Sequence, residues 1–137
     1  MTFASTEIIS ILNKTKPPYN VNQVTQELAL KALEEVGQVN DMINELVDMR
    51  EALAEVFTQM PSVEKVYPSD ANFLLVKIKD AKKVYEFLLT KGIVLRDRSS
   101  VKLCDDCLRI TVGTEKENTI LVDTFAEWLE QKSNKNL

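Results

Sequence analysis

Histidine is absent from these 137 residues, and glycine occurs only three times, at Gly37, Gly92 and Gly113. Without imidazole the chain lacks the usual general base near neutral pH, the commonest zinc ligand and every catalytic triad that depends on histidine. So few glycines leave no Gly-rich cradle for a phosphate, and low-complexity sequence is scarce. Only two cysteines are present, Cys104 and Cys107. Their C-x-x-C spacing could be half of a zinc site or a redox pair, but no further ligands are spaced to complete a metal centre, so no metal is expected. The plainer alternative is two reduced thiols, one in a loop and one starting a strand. Basic clusters are missing too: 17 basic against 21 acidic residues give a net charge of −4, and no lysine or arginine run is long enough to track a phosphate backbone. That argues against nucleic acid as a partner. No apolar run approaches the roughly 18 residues that span a bilayer, and the N-terminus lacks a basic region followed by a hydrophobic stretch. The expectation is a soluble, cytoplasmic protein without a membrane partner.

What is present suits one globular domain: 45% hydrophobic and 28% charged residues in a chain long enough to bury most of its unfolded surface. Ser5 or Thr6 can cap a short helix through about Lys14, with Ile8, Ile9, Ile11 and Leu12 on its apolar side. "KPPYNVN" breaks it, because Pro17 and Pro18 lack the amide hydrogen and push preceding residues toward extended geometry. Asn22 caps a second helix whose Val24, Leu28, Ala32, Leu33 and Val36 share a face, with Gly37 as its stop. A longer third helix is expected from about Val39 to Met60. Its Val39, Met42, Leu46, Met49, Leu53, Val56 and Met60 recur in steps of three and four, either a coiled-coil seam or the face of a helix packed on its own domain.

After Pro61 the period shifts toward two. "VEKVY" (63–67) and "NFLLVKI" (72–78) read as strands, the second with Leu74, Val76 and Ile78 on one face. Asp80 caps a helix that turns Val84, Phe87 and Leu88 inward and stops at Gly92. "IVLR" (93–96) and "CLRITV" (107–112) follow as strands. Thr114 and Glu117 form a T-x-x-E capping box that opens a last helix bearing Ile120, Leu121, Phe125, Trp128 and Leu129. Residues 132–137 are expected to fray. Three helices, two strands, a helix, two strands and a helix make an α+β domain: a small, mainly antiparallel sheet of three to four strands, covered by helices on one face and polar on the other.

That polar face carries Arg109, opposite in phase to Leu108, Ile110 and Val112. Sheet faces are often solvated, so water is a sufficient explanation for it. Arg96 ends the preceding strand thirteen positions earlier. If those two strands pair, both guanidinium groups emerge near one end of the sheet, and two such forks suit a phosphate or carboxylate. Arg98, in the loop between, reads as exposed or paired with Asp97.

"SILNKTKPPYNVN", "ANFLLVKI", "GIVLRDRS" and "CLRITVGT", in this order and spacing, resemble the C-terminal part of histidinol-phosphate aminotransferase, a pyridoxal-phosphate enzyme of the aspartate-aminotransferase fold type. The resemblance runs from about Phe3 to Gln131; threonine-phosphate decarboxylase of cobalamin synthesis and aromatic-amino-acid aminotransferases are neighbouring families. It implies transfer of an amino group between histidinol phosphate and 2-oxoglutarate in histidine biosynthesis, on a homo-oligomeric parent enzyme. By motif match Arg109 is similar to the family's substrate-anion arginine, and Arg96 to the partner that helps hold the phosphate of a small, amino-acid-like substrate. Tyr19, Asn20 and Asn22 fall in a loop near the active-site entrance of that family, although turn and capping chemistry explains them equally well.

The family's Schiff-base lysine motif, S-x-K, and the arginine that binds the cofactor phosphate are not found here. Lys14 and Lys16 lie at a helix end and before a proline, without the buried setting that lowers an amine's pKa. The expectation is therefore a single C-terminal small domain over residues 1–137 without the cofactor-binding large domain, holding no pyridoxal phosphate and inactive alone. The alternative is a free-standing interaction module that keeps this fold without its chemistry.

Overall fold

A computed structural model describes residues 3–16 and 21–134. It contains, in order, α1 (Thr6–Thr15), α2 (Gln23–Glu34), α3 (Val36–Thr58), β1 (Val63–Tyr67), β2 (Phe73–Ile78), α4 (Ala81–Thr90), β3 (Arg96–Asp97), β4 (Cys107–Thr111) and α5 (Glu115–Asn134). This is the expected order of elements. Contacts divide the chain into two compact units, residues 1–40 and 41–137.

In the first unit, Ser5 occupies the N-cap position of α1 without a side-chain bond, whereas Asn22 caps α2 by accepting the Thr25 amide at 2.8 Å. Neither helix buries a residue, and apolar side chains such as Ile11, Leu28 and Leu33 are exposed. Gly37 does not stop α2. The break falls at Glu35, and Gly37 lies in the first turn of α3, where its helix penalty of about 1 kcal/mol is tolerated.

The second unit is built on a four-stranded antiparallel sheet in the order β1-β2-β4-β3. Alternation along β2 puts Leu74, Val76 and Ile78 on one face, and the register sets Leu74 opposite Ile110 and Val76 opposite Leu108. This apolar face packs against Leu53 and Phe57 of α3, Val84 and Leu88 of α4, and Leu121, Phe125 and Trp128 of α5. Phe57 and Phe125 meet edge to face with ring centroids 5.5 Å apart. Along the α3 seam Leu53 is buried, Leu46 and Met49 are half-buried, and Met42 and Val56 are exposed, while Phe57, outside the seam, is fully buried. On α5, Ile120 likewise faces outward.

Asp80 precedes α4 in a left-handed conformation and makes no capping bond. It accepts instead from Lys83 at 3.2 Å and from Lys132 at 2.8 Å. Lys132 belongs to α5, which continues to Asn134 through the first part of the stretch expected to fray. Gly92 ends α4 at φ 79, as expected for a left-handed helix stop.

The strand expected at 93–96 is reduced to the two residues of β3. The Ile93 amide bonds back to the Leu88 carbonyl at 2.9 Å, so the start of this apolar run completes the end of α4 and joins no ladder. No helix among the described residues is long and apolar enough to cross a membrane.

Thr114 and Glu117 form the expected capping box: the Thr114 amide and hydroxyl each donate to Glu117 Oε2 at 2.8 Å. Gly113 makes room for it, because a Cβ there would stand 2.9 Å from Glu117 Cβ. The Thr114 amide, and then its hydroxyl, hold the Glu117 carboxyl below the ordinary carboxylate range. A lowered native pKa means that this stabilisation is complete above the unfolded-state value and is lost as pH falls through the folded one. Thr114→Ala is expected to reduce stability in urea by about 0.5–2 kcal/mol at neutral pH, with the difference shrinking on acidification. An unchanged unfolding midpoint at neutral pH would show that the box is idle.

Candidate functional site

The sheet face opposite the one packed by α3, α4 and α5 is set by the strand residues out of phase with the core. On β4 these are Cys107, Arg109 and Thr111; on β2 they are Phe73, Leu75 and Lys77, which face them in register. β3 adds Arg96, whose Cα is the direct partner of Arg109. The expected pairing of the two strands therefore brings the two arginines together.

Directly opposed like charges destabilise a sheet. Among the described residues neither Arg96 nor Arg109 has a carboxylate ion-pair partner that would offset this repulsion. Arg109 is also half-buried: its guanidinium carbon lies 5.0 Å from the centre of the Phe73 ring, and its Nε is buried without a hydrogen-bond partner. A desolvated, unpaired donor on a charged group is costly.

Phe73 was not visible as part of this arrangement in the sequence. Its place beside Arg109 depends on the β2–β4 register, for which "NFLLVKI" offers only the opposite phase to Leu74, Val76 and Ile78.

Asn22 lies in the first unit, where its side-chain oxygen already accepts the Thr25 amide. Tyr19 and Asn20 fall outside the described residues. Arg98 is half-buried and its amide donates to the Cys107 carbonyl at 2.9 Å, extending the β3–β4 ladder. Asp97 accepts from the Ser99 amide at 2.8 Å instead of pairing with Arg98.

The described residues do not fit a pyridoxal-phosphate site. A Schiff-base lysine requires burial that favours the neutral amine, and none of the described lysines is buried. Lys77, on the arginine face, is shifted the wrong way: its hydrogen bond and attraction to Glu64, 3.4 Å away, hold its pKa above the ordinary lysine value.

Comparisons with known proteins agree with this architecture. The chain is 50% identical over 123 residues to histidinol-phosphate aminotransferase of Cytophaga hutchinsonii, covering 90% of this chain and 35% of that protein. It thus spans about a third of the length of the curated relatives it matches. Among solved structures, histidinol-phosphate aminotransferase of Clostridium acetobutylicum superposes with a TM-score of 0.80 at 22% identity, over 96% of this chain and 39% of that one. L-threonine-O-3-phosphate decarboxylase of Porphyromonas gingivalis shares the fold with a TM-score of 0.67 at 23% identity, over 93% of this chain and 40% of that one. The sequence profile described as aminotransferase class I and II matches residues 1–125; the chain belongs to the class I and II aminotransferase family.

Proposed function

We propose that this chain is the substrate-anion-binding C-terminal part of a histidinol-phosphate aminotransferase, whose homo-oligomeric parent enzyme exchanges an amino group between histidinol phosphate and 2-oxoglutarate. The observation that carries this reading is the direct pairing of Arg96 with Arg109, together with the buried, unpartnered Nε of Arg109. The planar fork of Arg109, held against Phe73, is suited to bind two oxygens of a phosphate or carboxylate in a fixed direction. Arg96, exposed at the short edge strand, adds a second positive charge to the same anion. These residues bind and orient. Pyridoxal phosphate would be held by other residues of the parent enzyme, and the described lysines take no part in its chemistry.

This division of labour predicts that the pure 137-residue chain, mixed with histidinol phosphate, 2-oxoglutarate and pyridoxal phosphate, forms no glutamate above the protein-free control. Enzymatic turnover by the chain alone would refute it. The full-length parent is expected to transaminate histidinol phosphate. The fold shared with the decarboxylase supports a second reading, in which the same arginines hold the phosphate of threonine phosphate. Release of carbon dioxide from that substrate, with no transamination of histidinol phosphate, would select it.

A further inference from the structure

The C-x-x-C motif lies outside the apolar cluster between the sheet and its helices, although Cys107 is itself fully buried. In the structure the Cys107 amide donates to the Cys104 carbonyl at 3.0 Å, closing a four-residue turn over Asp105 and Asp106, the latter at φ 55. A turn of this kind keeps its first and fourth Cα atoms within about 7 Å, which overlaps the separation of about 4.4–6.8 Å found in disulfides. Both thiols are free. Cys107 Sγ lies 3.6 Å from the Asp105 carbonyl oxygen, so it is directed back over the turn that Cys104 begins.

The two sulfurs differ in access. Cys104 is partly exposed and Cys107 is fully buried. Burial, and then the neighbouring Cys104, push the Cys107 thiol above its ordinary pKa. An outside reagent therefore meets Cys104 first, with Cys107 shielded at the other end of the same turn.

We propose that Cys104 and Cys107 form a reversible intramolecular disulfide by exchange with small-molecule disulfides, clamping the turn that leads from the Arg96 strand into the Arg109 strand. The Cys104 thiolate attacks one sulfur of the small disulfide, forming a mixed disulfide and releasing one small thiolate, which takes up a proton. Cys107 then gives up its proton and attacks the Cys104 sulfur, releasing the second small thiol. Two protein thiols are oxidised, and one small disulfide is reduced to two thiols.

Oxidised glutathione is the probe, applied to the full chain and followed by intact mass and free-thiol titration. The expected end point is a monomer that has lost two hydrogens, with free thiols falling from two to none and recovering on reduction with dithiothreitol. In Cys107→Ser the reaction should stop at a glutathione adduct on Cys104. In Cys104→Ser the remaining thiol should stay unmodified while the protein is folded. A wild-type end point of a persistent glutathione adduct, a disulfide-linked dimer or two intact thiols would overturn the proposal.

Discussion

Replacing Arg109 by alanine in the full-length parent enzyme is expected to raise the KM for histidinol phosphate and to lower kcat/KM by about 2 to 4 kcal/mol, roughly 30- to 900-fold. The expectation follows from the position of the guanidinium. It is half-buried against Phe73 and has an Nε that the protein leaves without a partner, so an anion bound there would gain a charged hydrogen bond where water competes poorly. Arg109→Lys should recover only part of the loss, because an ammonium supplies charge without the fork.

The loss should not be a folding defect. Arg109→Ala removes a cation–π contact but also relieves the repulsion from Arg96, its direct partner across the ladder. The two effects oppose each other, and the net change in stability is expected to stay within about 1 kcal/mol. Unchanged kinetics in Arg109→Ala would make Arg109 a solvated surface charge. A large loss of stability would instead make it a structural residue.

How much of this arrangement could be read in advance depended on how local each signal was. The alternation of Leu74, Val76 and Ile78 and the capping box at Thr114 and Glu117 are written in adjacent residues, and both appear in the structure as read. The pairing of Arg96 with Arg109 could be stated only conditionally, since thirteen residues of spacing do not fix a register. The 93–96 strand failed for a definite reason: Ile93 and Leu95 are apolar enough for a strand, but the Ile93 amide is engaged by the end of α4. Val94 is left largely exposed.

The seam read on α3 meets the core at Leu53 and Met60 and misses it at Val56. Steps of three and four select Val56 after Leu53, but a straight α-helix drifts by about 20° per heptad from a 3.5-residue repeat. The contact passes instead to Phe57, four residues after Leu53. Phe73 shows the other limit, because a residue that braces an arginine on a different strand leaves no local pattern.

The largest expected effect on stability is at Phe125. Its ring is fully buried, meets Phe57 edge to face at 5.5 Å and lies 5.9 Å from Trp128, so it joins α5 to the inward end of α3 above the sheet. Truncation to alanine removes the buried apolar area, both aromatic contacts and the filling of the space between the helices. Together these are expected to lower the free energy of unfolding by about 3–5 kcal/mol. Small domains are stable by about 5–15 kcal/mol in all, so this variant should unfold at a much lower urea concentration than the wild type.

Phe125→Leu keeps most of the volume and loses the edge-to-face geometry, so it should fall between alanine and wild type. Ile120→Ala on the same helix provides the comparison: its side chain is 47% exposed, and a change within about 0.5 kcal/mol is expected. If Phe125→Ala and Ile120→Ala shift the urea midpoint equally, the inward face of α5 has been assigned incorrectly. A deficit confined to Phe125 would show that the aromatic pair holds α5 over the sheet face that positions β4, and with it Arg109.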